Sequence, residues 1–279
     1  MIINGRTEVL VHIGYPTHTF TSPMIYNPYF ADANINAVVI PFGSKPDDYQ
    51  KLFKELFTIT NLKGLIITMP HKVVTTSLVD ILSPTAEIAG ACNAVRLNAE
   101  GLLEGELFDG EGFVRGIQNK GFDCQNRSAL ISGCGGVGSA IAASLAKAGI
   151  TKLAIYDLNQ ASAEALKNRL LKHYPSLVIE TDSKDPSGFD LVINATPIGM
   201  NSEDPISLEI DKISSNTFVC DVILTDQLTP LLAKAQAKGC PIQVGVDMLF
   251  EQIPVYLEYF GLPSTTAHNL RDLAQIKYD

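Results

Sequence analysis

The chain has 279 residues, 46% hydrophobic and 18% charged, an ordinary composition for a globular protein with room for two cores, which excludes the disordered and fibrous classes. A net charge of −9 without a long basic run argues against nucleic acid, whose phosphates require clustered Lys and Arg. The five cysteines (Cys92, Cys124, Cys134, Cys220, Cys240) form no C-x-x-C pair and no cysteine–histidine spacing suited to zinc, and no window approaches the roughly 20 apolar residues of a membrane span.

Along the chain, apolar β-rich runs alternate with helical patterns. Val9 to Ile13, Ala37 to Ile40 and Gly64 to Thr68 read as strands, with helical spacing over Tyr49 to Thr58 between the last two. Around Cys92 to Glu106 the pattern changes to two short strands joined by Asn98-Ala99-Glu100-Gly101, a hairpin expected at the edge of the first sheet. A helix over Gly110 to Lys120 and a polar link, Asp123 to Arg127, lead into a second strand series. Its strands are expected near Ala129 to Ile131, Leu153 to Tyr156, Val178 to Thr181, Leu191 to Asn194, Phe218 to Asp221 and Ile242 to Gly245. Helices at Ala161 to His173 and Pro230 to Lys238 lie between them, and past Gly245 the pattern is purely helical. Such alternation implies an α/β protein with two domains and mostly parallel sheets covered by helices. The expected division is 1–108 with 246–279, a substrate domain to which the last helices return, and 109–245, a Rossmann-type nucleotide domain.

The most specific local signal is ALISGCGGVGSAIAASLAKAGITKLAIYD, a strand, a glycine loop, a helix, a second strand and a closing acid in order. Gly133, Gly135 and Gly138 satisfy G-x-G-x-x-G: one glycine for the tight turn, one for backbone approach to a pyrophosphate, one for helix–strand packing. The pyrophosphate is expected on the positive end of the helix that starts near Gly136. Asp157 closes the next strand, where an acid bonds the ribose 2′-hydroxyl.

In the first domain the strand in Gly64-Leu-Ile-Ile-Thr-Met-Pro-His-Lys72 ends in Thr68, Pro70 and Lys72, a hydroxyl and an amine at a strand end. Partial burial of Lys72 would lower its pKa and suit it to proton exchange with a substrate hydroxyl, although the residue type alone fits a solvated lysine. Asp109 precedes a helix, where it caps or faces a cleft. His12, in an apolar strand, and His173 and His268, on helical faces, read as structural, and His71 ranks below Lys72. The turn in Asn194-Ala-Thr-Pro-Ile-Gly-Met200 is expected along the nicotinamide side, and Gln252 lies roughly two turns into the first of the last helices, its amide available to a ligand.

Together these motifs resemble the shikimate/quinate dehydrogenase family over nearly the whole chain. Gly14-Tyr-Pro-Thr-His-Thr-Phe-Thr-Ser-Pro23 with Asn27 resembles its substrate loop, IITMPHK its catalytic strand and Ile88-Ala-Gly-Ala-Cys-Asn-Ala94 a segment supplying a substrate-binding Asn. LFDGEGF, GCGGVGSA, NATPIGM, Asp221 with LTPLL, and MLFEQ match the remaining blocks. The resemblance implies that Lys72 and Asp109 form the catalytic pair and that Thr68, Asn93 and Gln252 hold ring hydroxyls. It also implies cofactor contacts from Gly133, Gly135, Gly136, Val137, Gly138, Asp157, Asn194, Thr196, Pro197, Met200, Val222 and Gly245.

The departures concern the substrate. Where the family usually has H-S-x-S-P this chain has Thr19-Phe-Thr-Ser-Pro23, so Phe20 replaces one of two serines that grip a carboxylate, and Ser22 remains with Thr19 or Thr21 as further hydroxyls. Leu224 stands in place of an assisting tyrosine, Ile66 in place of an Asn, and Leu107-Phe108 in place of Asn-Thr. NADP-using members carry Asn-Arg-Thr after this strand, where this chain reads Tyr156-Asp-Leu-Asn-Gln160, which implies NAD, with NADP possible. The expectation is a cytoplasmic dehydrogenase acting on shikimate, quinate or a related cyclic polyol acid, monomeric or homodimeric, with no metal and no nucleic-acid or membrane partner. A folate-type methylene dehydrogenase and a regulatory module that has lost catalysis are the alternatives.

Overall fold

In a computed structural model, residues 2–201, 203–225 and 227–276 are described, and the chain divides into two units, Met1–Phe108 with Ile253–Asp279, and Asp109–Gln252. The sequence places the second seam at 245; the division falls at Gln252, inside the helix Gly245–Tyr259.

The first unit holds strands β1 (Glu8–Gly14), β2 (Ala37–Gly43), β3 (Leu62–Ile67), β4 (Ile81–Leu82), β5 (Ala94–Leu97) and β6 (Leu103–Glu106) in one sheet, ordered β2-β1-β3-β5-β6-β4. β1 runs parallel to β2 and β3, whereas β5 is antiparallel to both β3 and β6, so the hairpin makes the sheet mixed. Helix α1 (Pro23–Asp32) follows the first strand; its internal Pro28 breaks the usual propensity signal, and the sequence pattern does not mark it. Helix α2 (Pro46–Leu56) has proline in its first turn beside Asp47 and Asp48, and buries Tyr49, Phe53 and Leu56, one face at helical spacing. These side chains meet Val11, Ile13, Leu65 and Ile67 of the sheet to form the core of this unit. The short helices α3 (Lys72–Thr75) and α4 (Pro84–Ala89) complete the connections, α4 capped by the Ser83 hydroxyl and ended by Gly90 at φ 66°.

In the second unit, α5 (Asp109–Asn119) precedes β7 (Ser128–Ser132), α6 (Gly136–Lys147), β8 (Lys152–Tyr156), α7 (Gln160–His173), β9 (Val178–Glu180), β10 (Leu191–Asn194), β11 (Phe218–Asp221), α8 (Pro230–Ala237) and β12 (Ile242–Gln243). Their sheet is all parallel, ordered β12-β11-β10-β7-β8-β9, and its central strands are buried throughout, as expected when both faces are covered. Strand order reverses between β7 and β10, the topological switch point at which open α/β sheets bind ligands. The chain then enters α9 (Gly245–Tyr259) and α10 (Ala267–Leu273). Among the described residues no helix is long and apolar enough to cross a membrane, and no group of three or more His, Cys, Asp or Glu could hold a metal ion.

α5 lies directly on α6. A Cβ at Gly110 would sit 2.1 Å from the carbonyl oxygen of Ala140 and 2.5 Å from Ser144 Oγ, so the two backbones touch where the side chain is missing. Gly110→Ala should therefore lower unfolding stability by about 2 kcal/mol, as overpacking does, read as a lower urea midpoint at unchanged slope. An unchanged midpoint would show that the helices separate freely.

Candidate functional site

At the carboxyl end of β7 the chain turns at Gly133, whose φ of 106° is a left-handed value that a side chain resists. A Cβ there would meet the Ala195 carbonyl at 2.7 Å, and one at Gly138 would meet the Gly133 carbonyl at 2.0 Å, so the loop is packed against itself and against the end of β10. Gly135 and Gly136 differ: a Cβ at either would have nothing within 4 Å. Gly135 caps α6 with no side-chain hydrogen bond, leaving the first-turn amides at Gly136, Val137 and Gly138 without a side-chain oxygen at the helix end. An open, uncapped helix start of this kind fits a pyrophosphate, which the amides and the helix dipole favour.

Asp157, just past β8, accepts from the Cys134 backbone N–H at 2.7 Å and from that of Asn159 at 2.9 Å, so its carboxylate is held against the glycine loop. Leu158 beside it is 88% exposed. Burial, and then the negative charge of Asp157, push the Cys134 thiol up to about 12 against the opposing charge of Arg169, so this sulfur is a thiol at neutral pH. Lys184 Nζ lies 5.7 Å from the Tyr156 ring centre, a second cation near the end of β8.

The turn after β10 is held from within. Asn194 is fully buried; its Nδ2 donates to the Ile198 carbonyl and to Asp221 Oδ1, and its Oδ1 accepts from the Thr196 amide and hydroxyl. Its side chain is thus committed to the turn, and the surface it shapes is made by Pro197, exposed, and Met200, 60% exposed. Asp221 is buried with Thr229 Oγ1 on its other oxygen at 2.8 Å, and burial outweighs its hydrogen bonds to raise its pKa. Val222 donates its N–H to the Asn194 carbonyl, and a Cβ at Gly245 would strike the carbonyls of Val222 and Ile223 at 2.6 and 2.4 Å, so the start of α9 needs a glycine there. Gln252 is half-buried in α9, where α5 presses on it: a Cβ at Gly112 would lie 2.6 Å from its Cβ. Asp109, buried, opens α5, where a carboxylate suits the helix dipole.

In the first unit Lys72 is half-buried in the first turn of α3, and its carbonyl accepts from the Cys92 amide, tying that turn to the segment carrying Asn93. Asn93 is buried; its Oδ1 accepts from the Phe108 amide at 3.0 Å, while Nδ2 has no hydrogen-bond partner among the described residues. Thr68 is half-buried at the end of β3, and a Cβ at Gly14 would touch its Cγ2 at 2.4 Å and Phe20 Cζ at 2.9 Å. Phe20 and Ser22 are half-buried, whereas Thr19, in a short 3₁₀ turn, is exposed. The other departures divide: Ile66, Leu107 and Phe108 are buried, Phe108 edge-on to Tyr256 and Tyr259, while Leu224 is 59% exposed. His71 is buried with its ring stacked on Tyr49 at 3.9 Å and Nε2 against the Ser44 carbonyl, a brace next to Lys72.

The sequence reads His12 as structural, and the structure gives it an unusual setting. It is buried on β1, stacked on Phe20 at 4.2 Å, with Nδ1 unpartnered among the described residues, and burial followed by the charge of Lys72 lowers its pKa to about 4. No periodicity could have revealed this, because it depends on which loop folds over the strand. Between the unfolded value near 6.5 and about 4 the unfolded chain binds a proton that the folded ring refuses, so stability falls as pH drops, by ~3 kcal/mol at the lower end. His12→Val should flatten that part of the stability–pH curve in urea titrations; parallel curves for the two proteins would disprove the shift.

Residues 12–95 match the family described as shikimate dehydrogenase substrate binding domain. A shikimate dehydrogenase (NADP(+)) of Desulforamulus reducens is 32% identical over 263 residues, covering 90% of this chain and 88% of the relative. The quinate dehydrogenase of Corynebacterium glutamicum, solved in complex with NAD, is 26% identical, with a TM-score of 0.84 over 96% of this chain and 98% of that one. A shikimate 5-dehydrogenase of Listeria monocytogenes, solved with shikimate and NAD, shares the fold at 24% identity, with a TM-score of 0.90 over 97% of each chain. The chain belongs to the shikimate dehydrogenase family and is an NAD(P)-dependent oxidoreductase of that type.

Proposed function

We propose that the chain moves a hydride between NAD(P), with NAD preferred, and a ring hydroxyl of shikimate, quinate or a related cyclic polyol acid, with Lys72 and Asp109 as its catalytic pair. The observation that carries the reading is the glycine loop: an uncapped helix start with open Gly135 and Gly136, and the Asp157 carboxylate bonded to the same loop. The names of the relatives, shikimate and quinate dehydrogenases, supply the substrate class.

The nicotinamide supplies the hydride acceptor or donor. In the oxidative direction the Lys72 amine takes the hydroxyl proton as the carbon loses hydride, and in reduction the ammonium returns it. Thr68, Asn93 and Gln252 hold the remaining hydroxyls; the unpartnered Nδ2 of Asn93 supports its share of this, since a buried donor gains most from a ligand oxygen. The NAD preference rests on charge. Asp157 offers its carboxylate to a ribose diol and repels a 2′-phosphate; the exposed residue that follows it is Leu158, while the nearby cations lie elsewhere, Lys184 against the Tyr156 ring and Arg169 near Cys134. A cytoplasmic setting fits the five unpaired cysteines.

Comparing kcat/KM for the two nucleotides tests the preference: NAD should lead, and Asp157→Ser should narrow the gap by about tenfold, equivalent to roughly 1.4 kcal/mol. A native enzyme that prefers NADP removes Asp157 from the argument. Lys72→Ala should cut kcat by about 10²–10⁴ while NAD affinity, followed by fluorescence titration, stays near that of the native protein. Turnover close to normal in that variant would take Lys72 out of the mechanism.

A further inference from the structure

Among the described residues, a buried polar atom without a partner lies where this chain departs from its family at Phe20. His12 Nδ1 is buried without a hydrogen-bond partner, and the ring that carries it is stacked on Phe20, the residue in place of a carboxylate-gripping serine. In the parallel register His12 pairs with Ile66, the position where the family often has Asn. Phe20 and Thr68 converge on the same spot at the end of β1, since a single Cβ on Gly14 would touch both. The charge of Lys72 is felt at His12, which places the imidazole in the neighbourhood of the amine. Two polar groups of the family pattern are thus absent from this wall, a hydroxyl at 20 and an amide at 66, and the imidazole of His12 stands on the neighbouring strand.

We infer that His12 and Phe20 form a specificity wall that selects a substrate carrying an uncharged hydroxyl or hydroxymethyl group at this end, bonded by His12 Nδ1, over one carrying a carboxylate. The inference rests on the dehydrogenase reading above and narrows its substrate.

The chemistry favours a neutral group for two reasons. A carboxylate pressed on a phenyl ring gives up its water and gains no charged donor from Phe20, and the hydroxyls of Ser22, Thr19 and Thr21 in the same loop are neutral as well. A hydroxyl both donates and accepts, so it satisfies Nδ1 in either tautomer of a neutral ring, whereas a carboxylate can only accept. Substrate binding must then shift Phe20, half-buried after the turn Thr17–Thr19, far enough to admit the substrate hydroxyl to Nδ1 in the plane of the imidazole.

The test uses the full chain with both nucleotides and two substrates: shikimate, and its analogue with hydroxymethyl in place of the carboxylate. The alcohol should exceed the acid in kcat/KM by about tenfold, the ratio expected from one extra satisfied hydrogen bond, and Phe20→Ser should invert the order. His12→Val should lower kcat/KM for the alcohol about tenfold more than for the acid, mainly through KM, and His12→Asn should recover part of that loss. An acid preference in the native enzyme overturns the inference while leaving the dehydrogenase reading intact. So does a His12→Val variant that weakens both substrates in proportion. Absence of turnover for both compounds and for quinate, with either nucleotide, overturns both readings together.

Discussion

The second unit depends on a contact between backbones. At Gly138 a side chain would lie 2.0 Å from the Gly133 carbonyl, and at Gly133 one would meet the end of β10 at 2.7 Å. Only a chain without these two Cβ atoms can bring the start of α6 so close to the switch between β7 and β10. That closeness sets the start of α6 at the end of β7, and it leaves Gly135 and Gly136 as the open part of the loop. The Asp157 carboxylate then joins the loop to the end of the next strand at 2.7 Å, so one acid both braces the loop and places a negative charge beside it. Position and electrostatics are coupled here because the same oxygen atoms serve both.

Elsewhere the polar residues of the family pattern separate into braces and loose ends. Asn194 spends its amide on the Ile198 carbonyl, the Asp221 carboxylate and Thr196, so it shapes the turn after β10 from beneath. Asn93 spends only its oxygen, and its Nδ2 remains. The difference matters because a buried donor without a partner costs about 1–3 kcal/mol, a cost that persists in a native protein when a ligand relieves it. His12 Nδ1 belongs with Asn93 in this respect.

The departures from the family differ in weight. Leu107 and Phe108 are packed into the first unit, Phe108 between Tyr256 and Tyr259, where they exchange polar contacts for aromatic area. Leu224 is open to solvent. Phe20 is different because its partner is another ring bearing nitrogen, and the pair meets Gly14 and Thr68 at one strand end. A substitution that fills a core changes stability; one that stacks on an unsatisfied imidazole changes what can be recognised.

Much of the architecture was legible because it repeats along the chain. Period-2 and period-3.6 patterns, Pro230 at a helix start and glycines at forced turns are local signals, and they marked every strand but one and the helices α2, α5, α6, α7 and α8. The helix with Pro28 inside it and the short strand Ile81–Leu82 escaped, because neither carries a local pattern strong enough to stand apart from tertiary packing. By itself the sequence determined the α/β class, the order of the elements, the glycine loop with its closing acid and the family. Only the tertiary structure decided which polar atoms are spent and which are left: Asn194 committed, Asn93 half committed, His12 buried beneath Phe20. Hydrogen-bond partners are set by strands and loops far apart in sequence, and burial sets their worth, so neither can be read from spacing along the chain.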